Sequence, residues 1–188
     1  MDGWTDVPGE GASIALAFVN SLHNGPFGEV DHLSTARELD DWFASRLAAR
    51  PSPKFSAPDI ARVHELRLAV REVLVALPDG RRPRRSALHL LNEVARSAPR
   101  SAQLAWSDDT GPHRGWNSAG SRVDAALAAV ATDAIELVTG ERGELLRTCE
   151  AHGCVRLFVR EHARRQWCSN GCGDRVRALR HYQRRSHQ

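Results

Sequence analysis

Cys149 to Arg185 reads CEAHGCVRLFVREHARRQWCSNGCGDRVRALRHYQRR, and it holds every cysteine of the 188-residue chain. The four, Cys149, Cys154, Cys168 and Cys172, follow C-x4-C-x13-C-x3-C. Two close pairs joined by a short loop bring four thiolates to the corners of a tetrahedron around Zn²⁺. Disulfides, unrelated buried thiols and an iron–sulfur cluster are the competing readings. The amino end, MDGWTDVPGEGASIALAFVNSLHNG, has neither a basic leader nor a long apolar run. Reduced cytoplasmic thiols are therefore expected rather than disulfides. The flanks are polar and basic, unlike the apolar shell that shields iron–sulfur clusters. Four protein ligands leave no open position for water, so a single Zn²⁺ here is structural rather than catalytic. His152 and His162 lie inside the segment, to be read as exposed loop histidines first and as alternative ligands second. A segment of about 40 residues buries too little apolar surface to fold unaided. Residues 147–188 are expected to need the metal, which is worth on the order of 10–16 kcal/mol in comparable modules.

Charge divides along the same line. Residues 147–188 carry ten arginines against Glu150, Glu161 and Asp174, a difference of +7. Four thiolates with one Zn²⁺ subtract about two from this. Residues 1–146 carry 16 basic and 20 acidic residues, or −4, so the whole-chain value of +3 hides the asymmetry. A basic metal module on a mildly acidic body points to a polyanion partner at one end only. After Cys172, GDRVRALRHYQRRSHQ has helical periodicity, with Val176 and Leu179, and Tyr182 or Gln183 beyond, expected to cover the metal core. Arg177, Arg180 and Arg184 then fall on one adjacent stripe. Arg164, Arg165 and Arg175 lie nearby, and these six arginines are the candidate nucleic-acid contacts. A solvated face that only keeps the chain soluble is the alternative.

These residues resemble the CGNR zinc finger, a bacterial module named for a Cys-Gly-Asn-Arg tetrapeptide. The cysteine spacing, Leu157-Phe158, and Arg165-Gln166-Trp167-Cys168-Ser169 carry the likeness. The tetrapeptide here is Cys172-Gly173-Asp174-Arg175, with Asp in place of Asn, and Val159-Arg160 stands where an acidic residue is usual. Neither departure touches a ligand, though a carboxylate at 174 repels phosphate. The body is similar to the ABATE domain that accompanies this finger, through LAFVNSL at 16–22, Glu38-Leu39-Asp40-Asp41-Trp42 and its length. The resemblance implies a DNA-binding transcription regulator of stress responses whose first domain senses a ligand.

Read by itself, the body is helical, so the fold class is mainly α. It is expected as a multihelical domain over 1–143 with one small β-hairpin, followed by a four-cysteine zinc module over 144–188 that ends in a helix. Ser13 to His23 is a buried helix, and NGPFGEVDH is a Gly/Pro-punctuated loop. Thr35 with Glu38 forms a capping box for a helix lined by Leu39, Trp42, Phe43 and Leu47. Ser56, Pro58 and Asp59 open a long helix with the stripe Ile60, Val63, Leu66, Val70, Val73, Leu74 and Leu77. Arg81, Arg82, Arg84 and Arg85 form a basic run ahead of a helix with Leu88, Leu91 and Val94 inward. Residues 102–116 alternate around a turn and suggest the hairpin. Ser121 with Asp124 caps the last body helix.

No nucleophile–base pair, phosphate-cradling glycine loop or H-E-x-x-H motif is present, so the chain is not expected to be an enzyme. No apolar run reaches 18 residues, so no membrane span is expected. Trp4, Trp42, Trp106 and Trp116 lie in the body. Trp42, Trp106 and Trp116, with Asn20, are the candidate lining of a ligand pocket; core packing and structural hydrogen bonding are their alternatives. Three functions stay open: a ligand-responsive DNA-binding regulator working as a homodimer, a protein–protein or RNA adaptor, and a thiol redox sensor.

Overall fold

Residues 7–25, 28–47 and 52–186 are described by the computed structural model. They form six α-helices and three two-stranded antiparallel hairpins. Helix α1, Ile14–Asn20, starts at Ser13, whose hydroxyl accepts the Leu16 N–H at 3.2 Å. Asp133, from a distant helix, accepts from the Ser13 hydroxyl at 2.6 Å and the Ala15 N–H at 2.8 Å. Together they satisfy donors that a helix start leaves without partners. The helix ends short of His23 because the chain turns extended. Strand β1, Leu22–Gly25, pairs with β2, Gly28–Asp31, with Leu22 opposite Asp31. The segment expected as a loop is thus largely a hairpin; Pro26 and Phe27 lie outside the described residues.

Helix α2, Ala36–Arg46, opens on the Thr35/Glu38 capping box, and α3, Ala57–Ala76, on the matching Ser56/Asp59 box. Helix α4 spans Arg85–Ser97. Strands β3, Arg100–Ser107, and β4, Gly111–Ser118, make the expected hairpin. Helix α5, Arg122–Thr139, is capped by Ser121, whose hydroxyl accepts the Asp124 N–H. Among described residues no helix is long and apolar enough to cross a membrane.

The core forms around α1, whose residues Ala15 to Val19 are fully buried against α3 and α5. Phe18 meets Trp42 and Phe43 of α2 with ring centroids 5.8 and 6.3 Å apart. Leu77 and Leu88, expected inward, point outward, and on α4 Ala87 and Leu91 are the buried residues. Arg67 occupies a core position on α3 that periodicity alone would give to an apolar residue. It donates to both Asp31 oxygens, at 2.6 and 2.5 Å, and to the Ser21 hydroxyl at 3.0 Å. The arginine ties hairpin β1–β2 and the end of α1 to α3, and a charge this buried persists only when paired in this way.

After α5 come two short strands, β5, Leu146–Thr148, and β6, Leu157–Val159, paired from Leu146 opposite Val159. Helix α6, Asn170–Ser186, ends the described chain. Side chains alternate across a strand, and β6 uses both sides. Leu157 and Val159 join the main core, whereas Phe158 joins a second cluster with Val7, Ala151, Cys149, Cys168 and Cys172. All three β6 residues are buried. A boundary near residue 143 marks the change in charge and composition, yet the apolar core runs continuously across it.

Candidate metal centre and basic helix

The two knuckles bring the four thiols together. All four Sγ atoms lie within 4.8 Å of one another. Cys168 Sγ is 3.8 Å from Cys154 and 3.6 Å from Cys172, and Cys172 is 3.8 Å from Cys154. A tetrahedron with Zn–S bonds of about 2.3 Å has edges of about 3.8 Å, so the donor set fits one zinc ion. His152 and His162 are exposed and stand outside this cluster.

Thiols this close cannot all ionise against each other. Hydrogen bonds from Cys154 and Cys168 hold the Cys149 thiol well below its usual range. The same contacts with Cys149 push Cys154 and Cys168 up. A divalent cation supplies the charge that lets all four be thiolates. The surroundings are arranged for negative sulfur: the Cys168 N–H donates to Cys149 Sγ at 3.4 Å, and the Arg175 guanidinium to Cys172 Sγ at 3.2 Å. Donors of this kind orient ligands and steady their charge. Arg175 therefore places one guanidinium nitrogen on a thiolate while its side chain stays exposed.

The module is bolted to the body by polar contacts that no sequence pattern announced. Asn20 sits at the end of α1, buried. Its amide donates to the Leu157 carbonyl at 2.8 Å and accepts the Leu157 N–H at 2.9 Å, pairing with β6 as another strand would. Its second amide hydrogen goes to Glu10 at 2.7 Å. The Val159 N–H donates to the Pro8 carbonyl at 2.9 Å, Asn24 to the Gly153 carbonyl at 2.6 Å, and Arg71 to the Val155 carbonyl. Gly9 lies against β6 with φ of 97°, and a Cβ there would come 2.6 Å from Val159. Glycine alone fits both that backbone and that contact.

Asn20 thus spends its amide on structure, the alternative raised for it by sequence. Trp42 packs against Phe18 with Arg46 over its ring at 5.2 Å, while Trp106 is 71% exposed on hairpin β3–β4. The Trp116 side chain and all of Trp4 lie outside the described residues. The described members of the candidate pocket occupy three different settings.

Helix α6 begins inside the second knuckle. Val176 packs on the zinc cluster, but from Arg177 to Arg185 every residue is exposed. Leu179 and Tyr182, expected to cover the metal core, are 46% and 72% exposed, because the helix leaves the module after Val176. The Trp167 ring lies over Gly173, where a Cβ would come within 3.0 Å. Arg177 stacks on that ring at 5.7 Å and pairs with Asp174 at 2.7 Å. The Asp of the tetrapeptide is therefore neutralised within its own turn, and it occupies one arginine of the stripe. Arg164, Arg180 and Arg184 are exposed and Arg165 half-buried, and none of the four forms an ion pair among the described residues. Arg81 and Arg84 of the body's basic run face Glu72, at 2.8 and 3.6 Å, which limits their use toward a polyanion.

Family comparison agrees with this division. The ABATE model, described as "Putative stress-induced transcription regulator", matches residues 12–141, and the CGNR zinc finger model matches residues 146–185. No match was found among curated proteins. With well over half its length inside the first model and its four clustered cysteines inside the second, the chain belongs to the ABATE family and carries a CGNR zinc finger behind that domain.

Proposed function

We propose that this protein is a cytoplasmic transcription regulator that grips duplex DNA with the zinc-stiffened helix α6. The observation that carries this reading is the exposure of α6 on every side from Arg177 to Arg185. A helix with no face buried is otherwise poorly supported in water, and this one holds Arg177, Arg180, Arg184 and Arg185. Its diameter suits the major groove, where arginines can neutralise phosphates and read guanine edges. Zinc fixes the first turn of α6, so the arginines are presented in one orientation. No catalytic role is assigned to the body.

The test is the salt dependence of affinity for duplex DNA. Each phosphate neutralised adds roughly −0.9 to the log–log slope, so three to five contacts give roughly −3 to −5. Replacing Arg180 and Arg184 by Ala should flatten the slope by about two units without releasing zinc. Asp174→Asn should free Arg177 and steepen it by about one. No binding at low salt, or an unchanged slope in the double variant, overturns the reading. Leu179 and Tyr182, exposed beside the arginines, favour a second reading in that event: α6 docks on a partner protein. Oxidation sensing draws less support, since only Cys154 of the four thiols is partly exposed.

A further inference from the structure

Hairpin β3–β4 stands apart from the rest of the fold. Its eight-residue strands pair only with each other among the described residues. A lone two-stranded ribbon is marginal in water, and this one is amphipathic. Residues directly opposite share a face. Ala102, Leu104 and Trp106 of β3 therefore share one with Arg114 and Pro112 of β4. Leu104 is 79% and Trp106 71% exposed. The other face carries Ser101, Gln103, Ala105 and His113.

The two edges differ. β4 has Gly111, Pro112 and Gly115, which weaken a strand or remove a donor. β3 has neither glycine nor proline, and from Ser101 to Ser107 it has no charge. That is the composition of an edge left open for another strand.

We propose that β3 pairs antiparallel with β3 of a second copy, about a two-fold axis at Leu104. In this register Leu104 meets Leu104, Trp106 meets Ala102, and Asp108, the first turn residue after β3, comes beside Arg100. Every large residue falls opposite a small one or its own equivalent, and the two charges at the ends are opposite in sign. An isologous interface requires self-complementarity of this kind. The result is a four-stranded sheet with Ala102, Leu104 and Trp106 of both copies side by side on one face, and two zinc modules carried on one dimer. The pairing does not depend on what α6 binds and is read without DNA.

The experiment is sedimentation of the full zinc-loaded chain over a roughly hundredfold range of concentration. The expected species has twice the 20.8 kDa chain mass. Leu104→Glu should weaken association by about a hundredfold or more, through lost apolar burial and two carboxylates facing at the axis. Arg100→Asp and Asp108→Arg should each weaken it about tenfold, and the two together should recover the native value within about threefold. These positions are exposed, and unchanged helical circular dichroism shows that the variants fold. A monomer at all concentrations, a dimer indifferent to Leu104→Glu, or a charge-exchanged double variant that does not recover would each overturn the proposal.

Discussion

Two antiparallel hairpins flank α5 in sequence, and the shorter is much the more deeply buried. β5 and β6 are three residues each, and all three positions of β6 are buried. β3 and β4 are eight residues each, and β3 is exposed at all but two positions. Strand length does not account for the contrast, since the longer strands are the exposed ones. What separates them is whether a partner waits on either side. β6 has α1 with Asn20 on one face and four thiolates on the other, so each of its side chains enters a core. β3 has only β4.

The largest effects should come from cutting β6 on one face at a time. Leu157→Ala should cost about 2–5 kcal/mol of body stability while the chain still holds zinc. Phe158→Ala should cost about 3–5 kcal/mol, felt first as weaker zinc retention against a chelator. Denaturant melts with parallel zinc release measure both, and equal zinc loss in the two variants would break the division of faces.

Asn20→Ala comes next. It removes the side chain that pairs with the Leu157 N–H and carbonyl, at about 1–3 kcal/mol for a buried group so orphaned. Asn20→Asp should be worse, because a carboxylate would face Glu10 and the Leu157 carbonyl. If Asn20→Ala melts like the native chain, the clamp between α1 and β6 is not a stabilising contact.

How much of this could be read in the sequence depends on how far apart the partners lie. Signals confined to one short stretch were legible: the cysteine spacing, the Thr35/Glu38 box, the Ser56-Pro58-Asp59 start of α3, the Ser121 cap and hairpin β3–β4. Asn20 was recognised as a buried amide, but its partner Leu157 is 137 residues away. Arg67 reads as one more solvated arginine until Asp31, 36 residues earlier, is placed beside it. The β1–β2 hairpin escaped because its strands are four residues long and mostly polar, which looks like a loop. Leu179 and Tyr182 have helical spacing that suits a core face, and nothing local says that α6 has already left the module.

The third prediction concerns Asp31. Burial alone would raise its carboxyl, but hydrogen bonding and charge from Arg67 with the Leu33 N–H hold it below the usual range. A carboxyl lowered in the folded state contributes stability that is complete above its unfolded pKa, about 4, and is lost as pH falls through the folded value. The chain should therefore weaken on acidification below about pH 4. Asp31→Asn should flatten that part of the stability curve while lowering the plateau; an unchanged acid limb would contradict it.

The smallest effect belongs to the exposed hairpin. In dilute chain, where association is negligible, Trp106→Ser should change stability by less than about 0.5 kcal/mol despite removing the larger side chain. A loss of about 2 kcal/mol or more would mean that Trp106 is covered within the single chain, and the contrast between the hairpins would fail.

Hydrogen exchange with and without zinc addresses the central claim, that β6 joins the metal site and the body into one core. On metal removal, amides of α6 and of β5–β6 should lose protection, and those at the end of α1 near Asn20 should lose it with them by about tenfold or more. Protection at α1 that stays the same after zinc is stripped, while α6 exchanges freely, would contradict the shared core and leave two independent units.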